Sequence, residues 1–180
     1  MVSLRKWEGG YVFHPEDPGG ETYQGISRKF NPTWSGWEII DAIKAAGGGT
    51  LGMDASAPLR AAVHGFYRQV YWGNLDLIDD PLTTWLIFEA GVLHGTETAQ
   101  GWAQISANAM NCNGTLWPDV YVDGQIGAAS AFAINRCVKQ YPVEWRQLFE
   151  AQRVVSVITS TTRNPKAEVF MVGWLKRFKG

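Results

Sequence analysis

Residues 81–95 read PLTTWLIFEAGVLHG, and apolar side chains fall on nearly every side of the helix they would form. Glu89 is the single charged residue among them. A helix with no polar face must be wrapped by other elements, because water on any side would meet hydrocarbon. The segment is too short to cross a bilayer, which takes about 20 apolar residues. It is therefore expected to be the buried central helix of a mainly α-helical fold.

Several segments have the pattern needed to wrap it. PLRAAVHGFYRQVYW, residues 58–72, puts Leu59, Ala62, Val63, Phe66 and Val70 at helical spacing, with Pro58 suited to a first turn. Upstream, Ser35 is expected to cap a helix GWEIIDAIKAA that stops at Gly47-Gly48-Gly49, with a flexible stretch to Ala57. Downstream, TETAQGWAQISANAM (with Thr96 as cap), ASAFAINRCVKQ, PVEWRQLFEAQRVVSVITS and NPKAEVFMVGWLKRF all read as helices. The β-branched second half of the third weakens its helical reading. Residues 111–127 are turn-rich, and no fixed-period repeat is present.

Composition narrows the function. Sixteen basic residues against seventeen acidic ones leave a net charge of −1, without the basic surplus of a nucleic-acid binder. WLKRFKG at the C-terminal end reads as a solvated basic tail. No run of about eighteen apolar residues predicts membrane insertion, and MVSLRKWEGG has no apolar signal-peptide core. Cys112 and Cys137 lie in no CxxC or Cys/His spacing, so they are expected as buried free thiols, and no metal site or cofactor is expected. His64 and His94 fall within helical patterns and read as structural. Nine tryptophans are expected mostly in the core, although flat indole faces also suit stacking on sugars.

EGGYVFHPEDPGGETYQGIS, residues 8–27, packs four acids, five glycines and two prolines into twenty positions. That is more punctuation than one tight turn needs, and it suits a loop or hairpin holding a carboxylate in place. LRKWEG allows about a turn and a half of helix before Gly9-Gly10, leaving Glu8 at a helix C-terminus between Trp7 and Tyr11. The helix dipole and the aromatic neighbours both disfavour the ionised carboxylate, as a general acid requires. Asp17, in a Pro/Gly-rich loop, is favoured as the anion. Two carboxyls pushed in opposite directions suit glycosidic bond cleavage. Thr22 offers a hydroxyl to position water or sugar. A solvated acidic turn is the competing reading; a calcium loop of Glu16, Asp17 and Glu21 is disfavoured because Pro15 and Pro18 break the ligand pattern.

The same stretch resembles the opening signature of the family 108 glycoside hydrolases, bacterial and phage N-acetylmuramidases: E-G-G-Y-x-x-x-P-x-D-P-G-G-x-T-x-x-G-I-[TS]. Every fixed position matches. The resemblance puts the catalytic glutamate on Glu8 and, by likeness to phage-type lysozymes, makes Asp17 and Thr22 its partners. It implies a lysozyme-like helical fold with a small β/loop element near the N-terminus. YRQVYW, VDGQIGAASAFAIN and GWLKRF extend the likeness along the chain. The implied division is a catalytic region over residues 1–95 and a helical peptidoglycan-binding-like region over 96–180, packed as one globular unit.

The central helix departs from the family's F-D-x-A-V-N-x-G: Glu89 stands for the aspartate and Leu93 for the asparagine. Tyr11, Tyr23 and Gln24 are candidate sugar contacts, and His14 is either a groove residue or a loop surface group. The implied activity is hydrolysis of the β-1,4 bond between N-acetylmuramic acid and N-acetylglucosamine in peptidoglycan glycan strands. Glu8 would serve as acid, and Asp17 would stabilise positive charge or activate water. A non-catalytic wall-binding module and a lytic transglycosylase are the alternatives. A monomeric phage endolysin, held in the host cytoplasm until holin-dependent release, fits the missing signal, as does a virion-associated lysin.

Overall fold

A computed structural model describes residues 10–13 and 20–178. The chain is mainly helical, with a small antiparallel sheet near its N-terminus, as expected. It divides into two compact units, Met1–Val70 and Tyr71–Gly180. The residue-95 division expected from sequence lies inside the second unit, at the turn after its first long helix.

In the first unit, β1 (Tyr11–Val12), β2 (Thr22–Tyr23) and β3 (Ile26–Ser27) pair in the order β1-β2-β3. Tyr11 stands opposite Tyr23, and Tyr23 opposite Ile26, so these three share one face. Gln24 and Gly25 form the two-residue turn between β2 and β3, both at positive φ (45° and 80°). That is the type I′ geometry whose twist matches paired strands, and Gly25 adopts it without strain. Gln24 does not have that freedom, and its contacts hold it there.

Three helices complete this unit: α1 (Gly36–Ala45), α2 (Thr50–Ala55) and α3 (Ala57–Tyr67). Tyr23, Ile26, Trp37, Ile40, Met53, Leu59, Val63 and Tyr67 form its core. Ser35 is not the expected side-chain cap: its backbone is already helical and its hydroxyl makes no capping bond. The Trp34 ring lies across Gly36 where any Cβ would sit, which explains a glycine at this helix start. The stretch expected to be flexible contains α2, because burying Met53 overrides the poor local propensity. After α3 the chain enters a π-helical segment, Arg68–Trp72, within which the two units divide. Tyr67 continues the buried Leu59–Val63 row at four-residue spacing inside α3, whereas Val70, expected on the apolar face, lies in the wider π turn and is exposed.

In the second unit, α4 (Pro81–His94) is the central helix foreseen from its composition, burying Thr83, Thr84, Leu86, Ile87, Phe88, Ala90 and Gly91. Asp80 caps it, its Oδ2 accepting from the Thr83 N–H at 2.7 Å, and Pro81 opens it. α5 (Thr96–Asn108) packs on α4 and in turn meets α6 (Ala128–Gln140) and α7 (Pro142–Arg163). Gly95, not Thr96, is the residue before α5, and no side chain caps it.

Two buried α5 glutamines clamp the turn-rich segment. Gln104 Nε2 donates to Asp123 Oδ1, the Gln125 carbonyl and Ser130 Oγ at 2.8–3.0 Å. Gln104 Oε1 accepts from the Gly124 N–H, and Gln100 Oε1 from that of Ile126. α7 stays helical to Arg163 despite its β-branched half. There, Thr159, Ser160 and Thr162 donate to carbonyls four residues back, which satisfies their hydroxyls inside the helix. The closing segment is not one helix: Pro165–Phe170 is 3₁₀ and α8 (Met171–Arg177) follows.

Both cysteines are free, but Cys112 is exposed rather than buried. Burial pushes the Cys137 thiol up to about 11. Among the described tryptophans, Trp34, Trp37, Trp117 and Trp145 are buried and Trp72, Trp85, Trp102 and Trp174 half-buried, in keeping with a core role. No helix among the described residues is long and apolar enough to cross a membrane.

Candidate active site

Glu8, His14 and Asp17 lie outside the described residues, whereas Tyr11, Thr22, Tyr23 and Gln24 are placed. Thr22 is half-buried on β2, opposite Val12 and Ser27, with its hydroxyl 3.4 Å from the Gly20 carbonyl it donates to. Tyr23, its neighbour, points to the opposite face and has no exposed surface. The Tyr23 hydroxyl reaches the Met53 carbonyl and Asp54 Oδ1, each at 3.4 Å, and accepts from Gln24 Nε2 at 3.1 Å. The Gln24 carbonyl accepts from the Tyr67 hydroxyl at 2.9 Å, and its N–H donates to Gly10 at 3.3 Å.

The strained Gln24 turn is thus pinned through side chain, carbonyl and amide together. Strain of this kind persists only where surroundings over-determine it, and it gathers at functional sites. Any effect of Tyr23 or Gln24 on a bound sugar passes through this turn, because both side chains are engaged inside the unit. Gly10, two residues after Glu8, is tied to the same turn.

A second cluster lies beside the sheet, and no sequence signal pointed to it. Glu21 accepts a hydrogen bond from the Tyr11 hydroxyl at 3.0 Å and another from Lys44 Nζ, and stands 2.8 Å from Arg28 Nε. Its side chain is only 11% exposed, far less than an ordinary surface acid. Arg28 grips Asp41 of α1 with two bonds, at 2.7 and 3.1 Å, and lies over the Trp37 ring. Those bonds raise the Arg28 pKa and lower that of Asp41. Burial opposes the charge on Lys44, but Glu21 and Tyr11 together outweigh it and hold its pKa above the usual value. Two anions and two cations balance. The partners lie 10, 7 and 23 residues from Glu21 on three different segments, so no pattern within one element joins them, which is why the cluster was not legible.

In the second unit, Arg153 of α7 is completely buried and paired with Glu89 of α4 and with Glu150 Oε1 at 3.0 Å. Its guanidinium lies 4.2 Å from the centre of the Phe178 ring. Glu89, the departure noted in the central helix, therefore ties α4 to α7. Leu93 is half-buried and His64 exposed. His94 packs edge-on against Trp102 at 5.0 Å, with Nδ1 3.4 Å from Ser156 Oγ.

Burial, helped by the charge on Arg153, lowers the His94 pKa from 6.5 to about 4. The unfolded chain takes up this proton first as pH falls. The stability contributed by the neutral ring is therefore whole above pH 6.5 and lost as pH drops toward 4. His94→Phe keeps the ring and removes the titration. Calorimetry should show a flatter dependence of Tm on pH than the native chain has across that window; an identical curve would refute this assignment.

No group of three or more metal-ligating side chains is present among the described residues. The glycosyl hydrolase 108 family matches residues 1–95, more than half of the chain, so the chain belongs to that family and is a glycoside hydrolase. The structure of SagA from Brucella abortus is similar to it, at 23% identity and a TM-score of 0.61 over 98% of this chain and 85% of that one. This likeness is one of fold. No curated protein sequence matches the chain.

Proposed function

We propose that this glycoside hydrolase is a peptidoglycan N-acetylmuramidase that cleaves the β-1,4 bond between N-acetylmuramic acid and N-acetylglucosamine. The observation that carries the reading is the family match, whose span includes the complete acid-bearing signature with Glu8, Asp17 and Thr22. Glu8 gives its proton to the bridging oxygen as the bond breaks. Asp17 answers the positive charge that develops on the sugar ring, or activates the water that attacks it. Thr22 holds the water or a sugar hydroxyl, on a strand fixed by the pinned Gln24 turn. Residues 96–180 contribute wall binding, and the setting that fits is a phage endolysin acting as a monomer after release from the host cytoplasm.

Digestion of purified peptidoglycan by the native chain, followed by mass spectrometry, tests the chemistry. A muramidase yields saturated muropeptides with N-acetylmuramic acid at their reducing ends. Products lacking one water would replace hydrolysis by transglycosylation, and retention on sacculi without soluble products would leave only a wall-binding module.

A further inference from the structure

Glu21 occupies a position that the signature leaves open, yet its carboxylate gathers side chains from three segments: Tyr11 of β1, Arg28 just after β3, and Lys44 of α1. We propose that Glu21 is a positioning residue for the glycosidic cleavage, acting through the strand that carries Thr22; this rests on the muramidase reading above. Each strand of the sheet is only two residues long. Ladders so short are marginal by themselves, so their geometry must come from side-chain contacts.

Glu21 supplies those contacts at the strand end next to Thr22. The Tyr11–Glu21 bond ties β1 to the residue that leads into β2. Lys44 and the Arg28–Asp41 pair fix the same carboxylate to α1, so sheet and helix hold one register. Lys44 also lies over the Tyr11 ring, 4.7 Å from its centre, which holds that phenol toward Glu21. An exposed ion pair would contribute little, but this carboxylate is largely shielded from water and serves three partners at once. Removing its charge leaves Lys44 and Arg28 without their common anchor, and the strand is free to shift. Misplacement by an ångström is enough to slow chemistry greatly while binding is preserved.

The test is steady-state release of reducing ends from soluble glycan strands by the full chain. Glu21→Gln should lower kcat about tenfold and leave KM within about twofold. Lys44→Met should do the same from the α1 side, and the double variant should be no worse than either alone, as expected of residues acting as one unit. Native kcat in both variants would overturn the inference, as would fully additive losses or a change confined to KM. If Glu21→Gln fails to fold, Lys44→Met carries the test alone. An inactive native chain overturns the muramidase reading and this inference together, whereas an active native chain with unaffected variants overturns the inference only.

Discussion

Glu8→Gln should lower the rate of peptidoglycan cleavage by about 10²–10⁴-fold, the range a general acid supplies, with the circular dichroism spectrum unchanged. Glutamine keeps the size and most hydrogen bonds of the acid but has no proton to give the leaving oxygen. The alkoxide would then depart unprotonated, and no other group is proposed to assist it. Two features keep the prediction specific to chemistry. Gly10, close after Glu8, is bonded to the Gln24 amide, and Tyr11 pairs with Tyr23, so Gly10 and Tyr11 are held by backbone contacts in which the Glu8 side chain has no part. Binding should also survive: the variant should still sediment with sacculi while failing to clear their turbidity. Clearing at the native rate would remove Glu8 from the mechanism.

What could be read in the sequence divides by whether the signal needed a distant partner. The central helix was legible because a stretch lacking any polar face carries its own evidence, and α4 occupies almost the whole of it. The hairpin was legible as a punctuated turn region, since glycines and an exact run of fixed positions are local facts. Helix ends were less so. Ser35 and Thr96 look like caps, but a cap is defined by backbone dihedrals that neighbouring packing decides. α2 was missed because one buried methionine outweighs Gly52 and the glycine run before it only when α1 and α3 are there to bury it. Within the candidate site, the motif announced Thr22 but not Glu21, whose partners come from β1, α1 and the turn after β3. Nor could any pattern show that Tyr23 faces the core while Thr22 faces away; that follows from strand pairing.

Arg153→Met should destabilise the chain by about 3–5 kcal/mol at pH 7, the cost of removing one partner from a buried charge cluster. Arg153 has no exposed surface, and the side chains of Glu89 and Glu150 keep only 17% and 20% of theirs. Methionine fills much of the volume and packs against Phe178, so the loss reports charge and not a cavity. What remains is two shielded carboxylates facing the same site with no cation between them. Burial already holds the Glu150 pKa above its usual value with Arg153 present, and losing the arginine must raise it further. A raised carboxylate pKa makes the folded state bind protons more readily than the unfolded one, so the deficit should shrink as pH falls through the raised folded-state value toward the ordinary carboxylate one. Urea unfolding at pH 7 and again near pH 4 measures both parts. Replacing all three residues by apolar ones of similar size should recover most of the stability, because the cluster is costly to break but not to exchange. A deficit under about 1 kcal/mol at pH 7 would mean that water reaches the pair and screens it. Glu89 would then have a role other than tying α4 to α7.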